Sequence, residues 1–218
     1  MKFAAFSTLV LASGAAARTF TVFNACPFTI WPAIFTDLNV GSARPNHANG
    51  PGPQSCLTGG CNGGLVCDDR TGAGVPPATL AEFTLGSNGL DSYDVSLVDG
   101  YNLPMRISNN VGCPVADCAT DLGPNCPQPL IGPFDPSGFP VGCKSACFAN
   151  LDGNPGNSRN CCTGQFNSPG TCPASGVAFY DYFKSRCPRS YAYAFDDPTA
   201  LFHCDANRRA DYTITFCP

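Results

Sequence analysis

Long uninterrupted segments are what this 218-residue chain lacks most. Its 23 Gly and 21 Pro break nearly every run before a helix could propagate, which excludes a helical protein. Charge is scarce, at 13% of residues, and positive charge scarcer, giving a formal net charge of -4. Nucleic acid, which calls for a basic surface, is thereby excluded as a partner. Only two histidines, His47 and His203, accompany the cysteines, so zinc is not the favoured explanation of those cysteines. No DxDxDG calcium-loop spacing occurs, nor any Asn-x-Ser/Thr glycosylation acceptor. Beyond the N-terminus no apolar run approaches the ~20 residues that cross a bilayer, so no membrane association is expected. Glu82 is the only glutamate.

What is present points outward from the cell. Lys2, an apolar run from Phe3 to Ala12, and Ala15, Ala16 and Ala17 before Arg18 read as a cleaved signal peptide over residues 1–17, so the mature chain is expected to be secreted, extracellular or in a cell wall. Losing Lys2 takes the net charge from -4 to -5, compatible with a neutral or cationic ligand. Fifteen cysteines in a secreted chain predict a disulfide framework, and the odd number leaves at least one thiol over. No metal and no cofactor are expected.

The class is mainly β. TFTVF, IWPAIF, LPMRI and the terminal DYTITF combine β-branched and aromatic residues. Phe20, Val22, Phe28, Ile30 and Trp31 are expected as core material on two strands separated by a Cys-Pro turn. Residues 39–55 read as loop. Gly59, Gly60, Gly63 and Gly64 suit the tight backbone of short disulfide loops around Cys56, Cys61 and Cys67. Composition shifts at about Asn109: from Cys113 to Cys172 there are eight cysteines and few β-branched runs, a stretch that depends on cross-links for stability. SGVAFYDYFKSRCP predicts a helix near residues 176–187, with Ser175 as its cap and Pro188 as its stop. YAYAFDDPTALF reads as strand.

The chemistry concentrates in LAEFTLGSNGLDSYDVSLVDGYN, Leu80 to Asn102. Two alternating runs joined at Gly86 to Gly89 predict a pair of strands that brings Glu82, Asp94 and Asp99 toward one another. Clustered carboxylates are the groups that a polar, loop-rich, cross-linked chain could use for acid–base chemistry. Asp in SVD-Gly and Asp-Asp-Pro contexts also forms turns through its own side chain, and that reading stays open for Asp94, Asp99 and Asp197.

At CLTGGCNGGLVC, PPATLAEFTL, DVSLVDGYNLPM, the paired Cys161 and Cys162, FKSRCP, YAFDDPTALFHC and ITFCP, the sequence resembles the thaumatin-like proteins, the pathogenesis-related group 5 family, with wording closest to fungal members. The resemblance implies a thaumatin-like β-sandwich from residues 18–108 and 190–218. It also implies a disulfide-rich second domain over 109–189 carrying the short helix, a small disulfide loop, and an acidic cleft between the domains. It implies the bridges Cys26–Cys217, Cys61–Cys67, Cys113–Cys204, Cys118–Cys187, Cys126–Cys143, Cys147–Cys161 and Cys162–Cys172, leaving Cys56 as a free thiol. The family pattern departs in two places. Gly60 stands where Asp is common, and the interval from Cys26 to Cys56 is short enough to have lost a strand-bearing segment, with both the partner of Cys56 and the cleft's arginine. An internal deletion, a splice variant or a misassigned exon would each account for it.

By motif, the cleft acids fall on Glu82, Asp94, Asp99 and Asp197. Glu82 is then the candidate acid and Asp99 the candidate base or nucleophile, with Asp94 and Asp197 holding the sugar and Tyr101 and Phe195 offering a stacking face. The partner implied is β-1,3-glucan or another cell-wall polysaccharide, bound in an antifungal or wall-remodelling role. A weak endo-β-1,3-glucanase and a defence-like protein with no glucan role are the alternatives. A monomer is expected, with Cys56 available for an intermolecular disulfide.

Overall fold

The computed structural model describes residues 18–34, 47–48, 56–60 and 75–218, and its central feature grows from a two-residue turn. Asn88 and Gly89 both have positive φ, 51° and 78°, the conformation that a tight hairpin turn with the natural strand twist demands. This turn joins β4 (Leu80–Ser87) to β5 (Leu90–Ser96). An extra residue between Thr84 and Ser87 bulges β4, with Gly86 at φ 69°. Strand β8 (Phe202–Asp205) pairs with β5 on its other side, making a three-stranded antiparallel sheet.

Facing it is a four-stranded sheet in the order β1 (Phe20–Asn24), β9 (Tyr212–Phe216), β6 (Met105–Asn109), β7 (Ala116–Cys118). The β1–β9 pair is parallel and the others antiparallel. Alternation places Met105, Ile107, Ala116, Tyr212 and Ile214 on one face, packed against Tyr93 and Val95 of the other sheet. Aromatic rings fill the gap: Phe83 lies 4.9 Å from Phe20 and 5.2 Å from Tyr212, between centroids. A short antiparallel pair stands apart: β2 (Ala33–Ile34), in the run read as strand, with β3 (His47–Ala48), in the stretch read as loop.

Six disulfides join described cysteines: Cys26–Cys217, Cys113–Cys204, Cys118–Cys187, Cys126–Cys143, Cys147–Cys161 and Cys162–Cys172. The first spans 191 residues and ties β1 to the end of β9, a loop whose closure is worth about 5 kcal/mol in the chain-entropy account. Cys61 and Cys67, expected as another pair, lie outside the described residues. Cys56 is free.

Three local expectations are corrected. The helix α1 covers only Tyr180–Arg186, because Phe179 adopts a left-handed conformation at φ 60° and separates it from a 3-10 turn at Ala174–Gly176; Ser175 lies inside that turn and does not cap α1. The segment read as a strand at residues 191–201 instead folds around Asp196 into turns and α2 (Asp197–Ala200), and strand begins only at Phe202. Phe20, Val22, Phe28 and Trp31, expected as core, are all exposed, and no strand covers Phe28 or Trp31.

Candidate functional site

The pleat divides the β4–β5 hairpin into two chemically different faces. Ala81, Phe83, Tyr93 and Val95 point into the core, so Glu82, Asp94 and Ser96 share the opposite face. Register sets Glu82 directly across from Asp94, a pairing that holds Cβ atoms about 4.5–5.5 Å apart. Asp99 follows on the turn closed by Gly100 N donating to Leu97 O at 2.9 Å. Gly100 has φ 89°, and a Cβ there would stand 2.7 Å from Pro77 Cβ and 2.8 Å from Cys143 O, so only glycine lets this turn pack.

The far wall comes from much later in the chain. Tyr191 lies alongside Ser96, its N–H donating to Val95 O at 2.9 Å while its carbonyl accepts from Leu97 N at 2.8 Å. The following turn is built on the buried Asp196. Its carboxylate accepts from Ala192 N at 2.9 Å, Thr199 Oγ1 at 2.9 Å and Tyr180 OH at 3.2 Å, and it pairs with Lys184 Nζ at 3.0 Å. Of the two acids in Asp-Asp-Pro, Asp196 therefore does the turn chemistry. Asp197 is left exposed at the start of α2, where Tyr191 hydrogen-bonds it.

Burial and mutual repulsion shape the electrostatics. Asp94 is 8% exposed, and its Oδ1 is buried without a hydrogen-bond partner. Desolvation, then the charges of Glu82 and Asp197, push its carboxyl up to about 8, so at neutral pH it is largely protonated. Glu82 is also raised, mainly by desolvation. A hydrogen bond from Ser96 works against that rise, and the charge of Asp99 adds to it. Asp99 is raised by desolvation. Burial and the neighbouring Asp197, Asp94 and Glu82 all raise the Tyr191 phenol, keeping it a hydrogen-bond donor. The group thus holds protons and acceptors side by side, suited to ligands rich in hydroxyls. Among the described residues no cluster of His, Cys, Asp or Glu has the geometry to hold a metal ion.

The structure brings together Glu82, Asp94, Asp99 and Asp197 but not the two expected stacking residues. Tyr101 is 1% exposed, with its hydroxyl donating to Asp121 Oδ1 at 3.1 Å; it is a core residue and offers no face. Phe195 is half-buried against Tyr193 and the cluster of Cys162, Cys172 and Val177. Two residues escaped the sequence reading. Ser96 was accessible to it, two positions beyond Asp94 on the same face. Tyr191 was not, because nothing local marks its pairing with a strand 95 residues earlier. Two surface hollows, of about 250 Å³ at Arg159, Phe166 and Cys172 and about 720 Å³ at Phe23, Arg106, Asp117 and Arg189, include none of the four acids.

Two facing β-sheets, a dense disulfide framework and a patch of carboxyls with raised pKa define the class: a cross-linked, mainly β protein with an acidic candidate site. The thaumatin family model matches residues 42–218. The chain is 40% identical to "Thaumatin-like protein 1" of Arabidopsis thaliana over 245 positions, covering 94% of this chain and 88% of that protein. It is 39% identical to "Pathogenesis-related thaumatin-like protein 3.5" of Cryptomeria japonica, covering 94% and 91%. With "Thaumatin-like protein 1" of Pyrus pyrifolia it is 35% identical over 255 positions that include the whole of both chains. The chain belongs to the thaumatin family.

Aligning all 218 residues with the Pyrus protein over 255 positions leaves 37 positions at which this chain has no residue. The family match begins at residue 42, within the Cys26–Cys56 interval.

Proposed function

We propose that this chain is a secreted defence protein that binds an uncharged cell-wall polysaccharide, β-1,3-glucan being the representative, across the Glu82–Asp94–Asp99–Asp197 face. The observation that carries this reading is the buried, unpartnered Asp94 Oδ1 beside Glu82 in a group of acids whose charges repel one another. A group so crowded gains most from a neutral ligand that supplies hydroxyl donors, because hydrogen bonds relieve the carboxylates without adding charge. The family and its pathogenesis-related member support the defence role.

A second reading has an observation in its favour. Asp94, protonated at neutral pH and set opposite Glu82, makes a two-carboxyl pair of the sort that hydrolyses glycosidic bonds, with Asp99 as the further candidate base. One experiment separates the two. The purified mature protein is incubated with linear β-1,3-glucan, and sedimented protein and released reducing sugar are measured together. Retention without products is expected, and Glu82→Gln should weaken retention about 2- to 10-fold through loss of one carboxylate's hydrogen bonds. Product release that Glu82→Gln abolishes would establish the hydrolase instead. Absence of both retention and release would remove the glucan role.

A further inference from the structure

β1 is the exposed edge of the four-stranded sheet, and its backbone parity can be read from the bonds that frame its ladder. Tyr212 N donates to Thr19 O at 2.9 Å and Ala25 N donates to Phe216 O at 3.0 Å, so the odd-numbered residues of this parallel pair face β9. The N–H and C=O groups of Phe20, Val22 and Asn24 point the other way, and among the described residues no strand receives them.

The side chains along this edge are as poorly covered as the backbone. Phe20 and Val22 lie on the core-facing side of the sheet, yet they are 40% and 44% exposed, although Phe83 of the opposing sheet reaches Phe20 at 4.9 Å between centroids. Phe23, on the other side, is 54% exposed. Protected edges ordinarily carry a charge, a proline or a bulge, and FTVFN has none of these.

We infer that β1 pairs antiparallel with β1 of a second copy of this chain, about a two-fold axis through Val22. Self-complementarity selects this occupant. The axis sets Val22 opposite Val22 and Phe20 opposite Asn24, so every outward N–H meets an outward C=O without a register shift. All five residues are uncharged, so no like charges meet. Side-chain alternation keeps Phe20 and Val22 of both copies on one face, where they lengthen the apolar surface, and brings Thr21 of each copy opposite Phe23 of the other. The two sheets become one continuous eight-stranded sheet. This pairing replaces the monomer expected from the sequence and needs no disulfide through Cys56.

The test uses the mature chain carrying Cys56→Ser, which removes the disulfide route, in sedimentation equilibrium from about 1 to about 100 µM, a range that reports micromolar dissociation constants. The mass is expected to double across that range. Val22→Lys, which sets two ammonium groups across the axis, is expected to weaken association at least about 10-fold, and Val22→Thr to leave it nearly unchanged. Hydrogen exchange on the unsubstituted strand gives a reading that does not depend on any variant folding. The amides of Phe20, Val22 and Asn24 should gain protection as concentration rises, while those of Thr21 and Phe23 stay protected throughout. A constant monomer overturns the inference, whether its Val22 amide is protected by the chain's own residues or left open for a different protein. A dimer that Val22→Lys does not weaken overturns it equally.

Discussion

Asp91 and Asp94 stand three residues apart on β5, on opposite faces of the same strand, and are treated in opposite ways. Asp91 is wholly buried and fully satisfied. Arg18 grips it with two bonds of 2.8 Å, Gly86 N donates at 2.9 Å and Tyr212 OH at 3.0 Å. Asp94 is nearly as buried but has a partnerless oxygen, and its closest charged neighbours are other acids. A carboxylate enclosed by donors is part of the scaffold, because each neighbour depends on it. One enclosed by other carboxyls is left with an unmet hydrogen bond, which marks it as a candidate site. The contrast separates scaffold from candidate site on one strand of seven residues.

Removing the scaffold carboxylate should have the largest effect. Asp91→Asn leaves the Arg18 guanidinium, itself only 17% exposed, without its counter-charge, and a cost of about 3–5 kcal/mol is expected in denaturant unfolding with the disulfides intact. Asp94→Asn should cost much less, within about 1 kcal/mol at pH 5, where the native carboxyl is already neutral. The two substitutions should also differ in pH dependence. Because the folded chain holds the Asp94 proton more tightly than the unfolded one, this group's contribution to stability is complete below about pH 4 and is lost as pH rises through about 8. Urea midpoints measured across that window should fall for the unsubstituted protein, and Asp94→Asn should lack that part of the fall. An equal fall in both would mean that Asp94 is not the strained group. Smallest is Tyr191→Phe, which removes the hydroxyl bonded to Asp197. Glucan retention should weaken about 2- to 10-fold while the urea midpoint stays nearly unchanged, separating a ligand contact from a scaffold contact.

Much of the hairpin was legible before its coordinates. The alternation of LAEFTLGS and LDSYDVS around Asn-Gly places Glu82 and Asp94 on one face, since side-chain period and turn type are local properties. Tyr101 was misjudged for a physical reason. Its position just after the acidic turn says nothing of the packing of later segments, such as Cys143, whose backbone exchanges hydrogen bonds with Tyr101 and helps to bury it. The strand expected at residues 191–201 failed because its aromatic residues mimic β-propensity, whereas the buried carboxylate of Asp196 recruits four donors to a compact turn. The family resemblance carried Asp197 to the site, but only the fold showed that its neighbour Asp196 frees it.

By itself the sequence determined the mainly β class, the dependence on disulfides, the hairpin that carries Glu82 and Asp94, and the family. Each follows from local period, turn chemistry or motif order, which survive without knowledge of distant neighbours. Tertiary structure alone decided which acids are scaffold and which are candidate site, brought Tyr191 to the far wall, and left β1 without a second strand partner among the described residues. Those outcomes depend on burial and on partners far away in sequence, and for a carboxylate or a strand edge the partners decide the energy.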